Sequence, residues 1–164
     1  MPAGVTEPMQ TLVAKYFEMN GYFLRSNIKY DVPGNYSDVD LVGVNKEGEW
    51  IVIEVTAWAR GGVTEKTVEK LIQCLNEKMN IVEKLVDKKR LKGVIAVLPS
   101  TDKQREGIRD LAKTAGVEVV FLDEIIQYFF DELEVGQSYE SEGLQLIRFI
   151  KIIREKKDDG GWPK

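Results

Sequence analysis

Residues 37–57, SDVDLVGVNKEGEWIVIEVTA, carry two carboxylates within apolar runs, Asp40 in DVDLVGV and Glu54 in WIVIEVTAW. Side chains alternate across a strand. Residues 37–44 therefore place Val39, Leu41 and Gly43 on one face and Asp38 and Asp40 on the other, and residues 50–57 set Ile51, Ile53 and Val55 against Glu54 and Thr56. Between them Asn45, Lys46, Glu47 and Gly48 have the make-up of a short hairpin turn, which lays the strands antiparallel and lets Asp40 approach Glu54. An unpaired buried carboxylate costs several kcal/mol, so each needs a partner. A shared magnesium or manganese ion would serve both, with its other positions left to water and phosphate oxygens, an arrangement for phosphoryl transfer. The structural alternative is that Glu54 pairs with a buried Arg or Lys while Asp40 sits at an exposed strand end.

The rest of the chain must position that pair. Thr6, Glu7 and Pro8 open a helix that Asn20 and Gly21 close, with Leu12, Val13, Tyr16 and Phe17 as its apolar stripe. Residues 22–30 read as an edge strand, on which Arg25 and Lys29 could face a phosphate, and 31–36, DVPGNY, as a loop beside the pair. A helix capped by Thr64 follows over 65–89, carrying Val68, Leu71, Ile72, Leu75, Met79, Val82 and Val86 as an apolar stripe that packs across the sheet. Residues 93–98 and 117–122 read as strands around a helix over 102–115, a pattern that implies parallel pairing. Helices over 123–133 and 138–156 complete the chain, the last with Leu144, Ile147, Phe149 and Ile150 as its apolar face, packed on the core or on a second subunit.

At 164 residues the chain is long enough to bury roughly 70% of its unfolded surface. It has no His, which excludes His-dependent mechanisms, and a single Cys, Cys74, read as a core filler in a reducing, cytoplasmic setting. Neither a leader segment nor a membrane span is expected. The net charge of −4 argues against a strongly cationic nucleic-acid binder. Two basic patches nevertheless stand out: Lys84, Lys88, Lys89, Arg90 and Lys92, and Arg148, Lys151, Arg154, Lys156 and Lys157. Each is also what an ordinary solvated helix face looks like.

An Asp opening an apolar strand, a hairpin, and an apolar strand ending in Glu resembles the signature of the PD-(D/E)xK nucleases, and DVDLVGV with WIVIEVT is similar to their Holliday junction resolvase-like members. Residues 93–129 resemble the second half of Mrr-like domains, and the matches together span roughly residues 7–130. It implies an α/β, restriction-endonuclease-like fold, a mixed β-sheet flanked by helices, over 1–135, with an extra C-terminal helix over 136–157 and a tail over 158–164. It further implies a magnesium- or manganese-dependent endonuclease acting on DNA, structured DNA included, with a homodimer as the state that cuts both strands. Asp40 and Glu54 take the places of the motif's acidic residues. Together with the Val55 carbonyl they would hold the metal, with Asp38 and Glu7 as further ligands; Gln10, one turn from Glu7, shares its face.

Where the family has Lys, this chain has Thr56. A neutral hydroxyl cannot stand in for an ammonium that stabilises charge in the transition state. Lys66 and Lys70 on the following helix, or Arg60 before it, are candidates to supply the cation, and Gln73 could face the site as well. The competing expectation is a nuclease-fold module that has lost catalysis and binds nucleic acid or protein.

Overall fold

The computed structural model of the chain describes residues 6–32, 35–56, 62–86, 90–134 and 136–158, without the side chains of 6–8, 27, 29–32, 35–38 and 157. Two compact units divide it, Met1–Leu122 and Asp123–Lys164.

The first unit is a five-stranded sheet in the order β1-β2-β3-β4-β5, built from β1 (Tyr22–Val32), β2 (Asn35–Asn45), β3 (Trp50–Thr56), β4 (Leu91–Val97) and β5 (Glu118–Phe121). β1, β2 and β3 pair antiparallel, and β3, β4 and β5 parallel. The mixed sheet is flanked by α1 (Thr6–Met19), α2 (Glu65–Val82) and α3 (Asp102–Ala115), the α/β arrangement that the motif resemblance implied.

Alternation along β3 sorts the layers. Val52 joins Ile95, Val97, Val68, Ile72 and Leu75 in one buried cluster, which seats α2 against β3 and β4. Ile51 and Ile53 alternate to the opposite face and are buried there. On that side Leu41 lines a cleft with Gln10, Thr11 and Ala14 of α1. Fully burying Ile53 and Ile95, both at 0% exposure, contributes about 2 kcal/mol each relative to leaving them in water.

The β2–β3 turn forms as its residues require. The Asn45 side-chain oxygen accepts hydrogen bonds from the amides of Glu47 (3.1 Å) and Glu49 (2.9 Å), and Gly48 takes a φ of 79° that only glycine adopts without strain.

Several expectations need correction. Residues 31–36 are not one loop: pairing continues through Asp31↔Tyr36 to Val32↔Asn35, so the strands extend into both ends of that stretch. α2 ends at Val82 in a turn, where the amides of Lys84 and Leu85 bond carbonyls three residues back. Its first amide is served by α3, since Glu65 N donates to Gln104 Oε1 at 2.8 Å, while the Thr64 side chain makes no capping hydrogen bond. Cys74 is exposed, on a flank of α2 outside the buried stripe.

The chain returns toward the sheet through Gly62 and Val63. Val63 bridges Pro99, donating to Leu98 O at 2.7 Å and accepting from Ser100 N at 3.0 Å. Gly62 has a φ of 94°, and a Cβ there would stand 2.6 Å from the Pro99 carbonyl group. Gly62→Ala is expected to cost at least about 2 kcal/mol, from left-handed strain plus the clash, read as a lowered urea midpoint with unchanged m.

In the second unit, α4 (Leu122–Glu132) and α5 (Glu142–Asp158) are joined by hydrogen bonds of the intervening turn, among them Glu134 N to the Tyr139 hydroxyl at 2.8 Å. Lys151 Nζ donates to Leu133 O at 3.0 Å, and the Arg154 guanidinium lies 5.0 Å from the Phe130 ring centre. α5 starts later than expected and buries only part of its predicted face: Leu144 and Ile147 are buried, whereas Phe149 and Ile150 are exposed. No described helix is long and apolar enough to cross a membrane.

Candidate active site

β2 and β3 part company at the two carboxylates. Their pairing runs from Val44↔Trp50 to Leu41↔Ile53, and the next step of that register sets Asp40 opposite Glu54. The β2–β3 ladder stops there, yet β2 continues along β1 to Asn35 and β3 continues along β4 to Thr56↔Val97. A fork therefore opens in the sheet with one carboxylate on each arm. Directly opposed residues of an antiparallel pair share a face, and this face is that of Val42 and Val52, the side covered by α2.

Asp40 closes the fork with its side chain. Its Oδ2 accepts from Val55 N at 2.9 Å, replacing a ladder bond that the parting strands leave unmade. The amide and carbonyl of one residue in an extended strand point to the same side, so the Val55 carbonyl also faces the fork. From α1, Gln10 donates through Nε2 to the Asp40 carbonyl at 2.7 Å and is itself 8% exposed. Gln10→Met would leave that acceptor unserved in a partly buried place. The expected cost is about 1–2 kcal/mol, measured as a lower unfolding free energy.

Glu54 is 6% exposed. Its Oε1 is buried and is paired with Lys78 Nζ. The side chains of that pair are 15% exposed for Lys78 and 8% for Glu54. Burial pushes the Glu54 carboxyl up to about 7; the Asp40 charge and a carboxyl–carboxyl hydrogen bond to Asp40 push the same way, and Lys78 opposes them. The sequence left two options open for Glu54, a shared cation or a buried basic partner, and a basic partner is present.

Lys78 was not among the expected residues, although a signal for it exists. It lies three residues after Leu75 and four before Val82, a place in the α2 stripe that the apolar repeat would otherwise fill. Lys66 and Lys70, on the first two turns of α2, are exposed, as are Gln73 and, on β1, Arg25. Thr56 is half-buried at the end of β3 and shares a face with Glu54. Arg60 and the side chains of Glu7, Lys29 and Asp38 lie outside the described residues. No group of three or more acidic, Cys or His side chains forms a metal cluster among the described residues. Two carboxylates and a backbone carbonyl are the oxygen donors gathered at the fork, with the Lys78 ammonium already against Glu54 Oε1. That set suits a hard divalent ion that keeps several waters.

No family model matches the chain, and no curated protein matches it. Among solved structures, protein AF1548, of unknown function, aligns with a TM-score of 0.53 at 15% identity over 94% of this chain and 100% of its own. An XisH family protein from Nostoc punctiforme aligns with a TM-score of 0.51 at 11% identity over 72% of this chain and 94% of its own. EndoMS in complex with double-stranded DNA aligns with a TM-score of 0.47 at 19% identity over 70% of this chain, which spans only 43% of the EndoMS chain. At these identities the likeness to the first two is one of fold.

Proposed function

We propose that the first unit is a metal-dependent nuclease that hydrolyses phosphodiester bonds in DNA, with Asp40, Glu54 and the Val55 carbonyl holding magnesium or manganese. The observation that carries this reading is the fork: two carboxylates meet where β2 leaves β3, one of them buried. Bound there, the ion would supply a Lewis acid for the phosphoryl group and a water activated for in-line attack.

The chain's own residues set the geometry. Asp40 is anchored by Val55 N and Gln10 steadies the backbone behind it, so the ligand oxygens are held before a metal arrives. Lys66 and Lys70, both exposed, or Arg60 are proposed to supply the cation that Thr56 lacks, and Arg25, Lys29, Arg60 and Gln73 are proposed contacts to the nucleic acid. Asp38 and Glu7 are proposed as supplementary acidic groups. Thr56 offers the substrate a neutral hydroxyl in place of a charge. Cutting both strands of a duplex would use two such sites, hence a homodimer.

A second reading has its own observation: the Lys78 ion pair neutralises Glu54 without a metal, as in a module that keeps the nuclease fold and only binds its partner. The deciding assay offers labelled duplex, single-stranded and four-way-junction DNA with magnesium or manganese. Cutting by the wild-type chain that is lost in Asp40→Asn and Glu54→Gln supports the nuclease. Folded wild-type protein that binds but cuts none of these substrates supports the binding module.

A further inference from the structure

We infer that Lys78 is a resident counter-ion of the acidic pair, its ammonium standing against the Glu54 oxygen that a divalent ion would take, so that metal binding displaces the lysine. The inference rests on the proposed metal site and goes beyond it, because it makes the site an exchange of one cation for another.

Glu54 Oε1 is buried, and the Lys78 ammonium is the group paired with it. The second carboxylate is already engaged, Asp40 Oδ2 with Val55 N, which makes Glu54 the ligand free to change partners. Lys78 comes from α2, a different element from either carboxylate, and a lysine has a long flexible stem. Its ammonium can leave while the helix stays packed through Leu75 and Val82.

Two positive charges cannot share one carboxylate oxygen in a partly desolvated place without strong repulsion, so ion and ammonium exclude each other there. The displaced ammonium then needs another anion, and a phosphodiester is the anion that the proposed function brings to the site. Metal and nucleic acid should consequently help each other bind, by the same factor in both directions.

The test is manganese titration calorimetry on the full chain without nucleic acid, comparing wild type, Lys78→Met, Lys78→Arg and Asp40→Asn. In buffer alkaline enough to keep Glu54 ionised in every variant, Lys78→Met is expected to bind manganese roughly tenfold or more tightly than wild type, because a competing charge has gone, while Lys78→Arg stays near wild type. As a check independent of any variant's folding, the Lys78 side-chain NMR resonances of the wild-type protein should shift with magnesium along the binding isotherm. Manganese binding lost in Asp40→Asn, together with equal or weaker binding in Lys78→Met and an unmoved Lys78 signal, would overturn the exchange and leave the metal site standing. No binding by wild type or Lys78→Met, or undiminished binding by Asp40→Asn, would overturn the metal site and the exchange with it.

Discussion

Asp40→Asn is expected to lower metal-dependent cleavage roughly 10³-fold, the scale seen when one preorganised electrostatic group is removed from an active site. The substitution is close to isosteric, and the amide oxygen of asparagine can still accept from Val55 N, so the fork should keep its shape. What is lost is the charge. Glu54→Gln should reduce cleavage by a similar factor, with an added structural consequence, because it leaves the Lys78 ammonium without its counter-charge in a largely buried place. Circular dichroism and urea unfolding of both variants separate the two effects: Asp40→Asn should unfold close to wild type, and Glu54→Gln should move. A variant that keeps full cleavage while folded would remove its carboxylate from the mechanism.

The features that make the site were unevenly legible in the sequence. Periodicity placed Asp40 and Glu54 on facing strands because each breaks an apolar alternation, and Asn45 with Gly48 fixed the turn that sets their register. The helix over residues 102–115 was equally plain, bounded by the Thr101 hydroxyl, which accepts from Gln104 N at 3.1 Å, and by Gly116 in the left-handed region. Lys78 was hidden for a tertiary reason. A lysine beside an apolar stripe ordinarily lays its stem along the core and sends its charge to water, and only the seating of α2 over β3 shows that this one reaches Glu54. The role of Gln10 was hidden likewise, since its partner is a backbone carbonyl thirty residues away with no sequence mark. At residues 31–36 the breakers Pro33 and Gly34 suggested a wide loop, but the strands extend into both ends of that stretch. The long lysine-rich run after Val82 favours helix residue by residue, and the helix still stops where its buried stripe ends.

In metal-free buffer the wild-type chain should lose stability as pH rises through the neutral range, and Glu54→Gln should not share that loss. The sign follows from the proton. The Glu54 carboxyl is raised from an ordinary 4.5 to about 7 in the folded chain, so between those values the folded state holds a proton that the unfolded state gives up. The contribution is present in full below 4.5 and is lost as pH climbs through about 7; a gap of that size is worth about 3 kcal/mol. Other groups titrate in both proteins and cancel in the difference, so the readout is the wild-type minus Glu54→Gln unfolding free energy at pH 5, 6, 7 and 8 with a chelator present. That difference should decline steadily with pH. Asp40→Asn should weaken the decline without removing it, since burial is the larger cause and the Asp40 charge the next. Manganese should reverse the trend in the wild-type chain, because a cation bound at the fork favours the ionised carboxylate that burial disfavours. A flat difference across this range would mean that Glu54 is already ionised at pH 5, with Lys78 outweighing burial and Asp40 together.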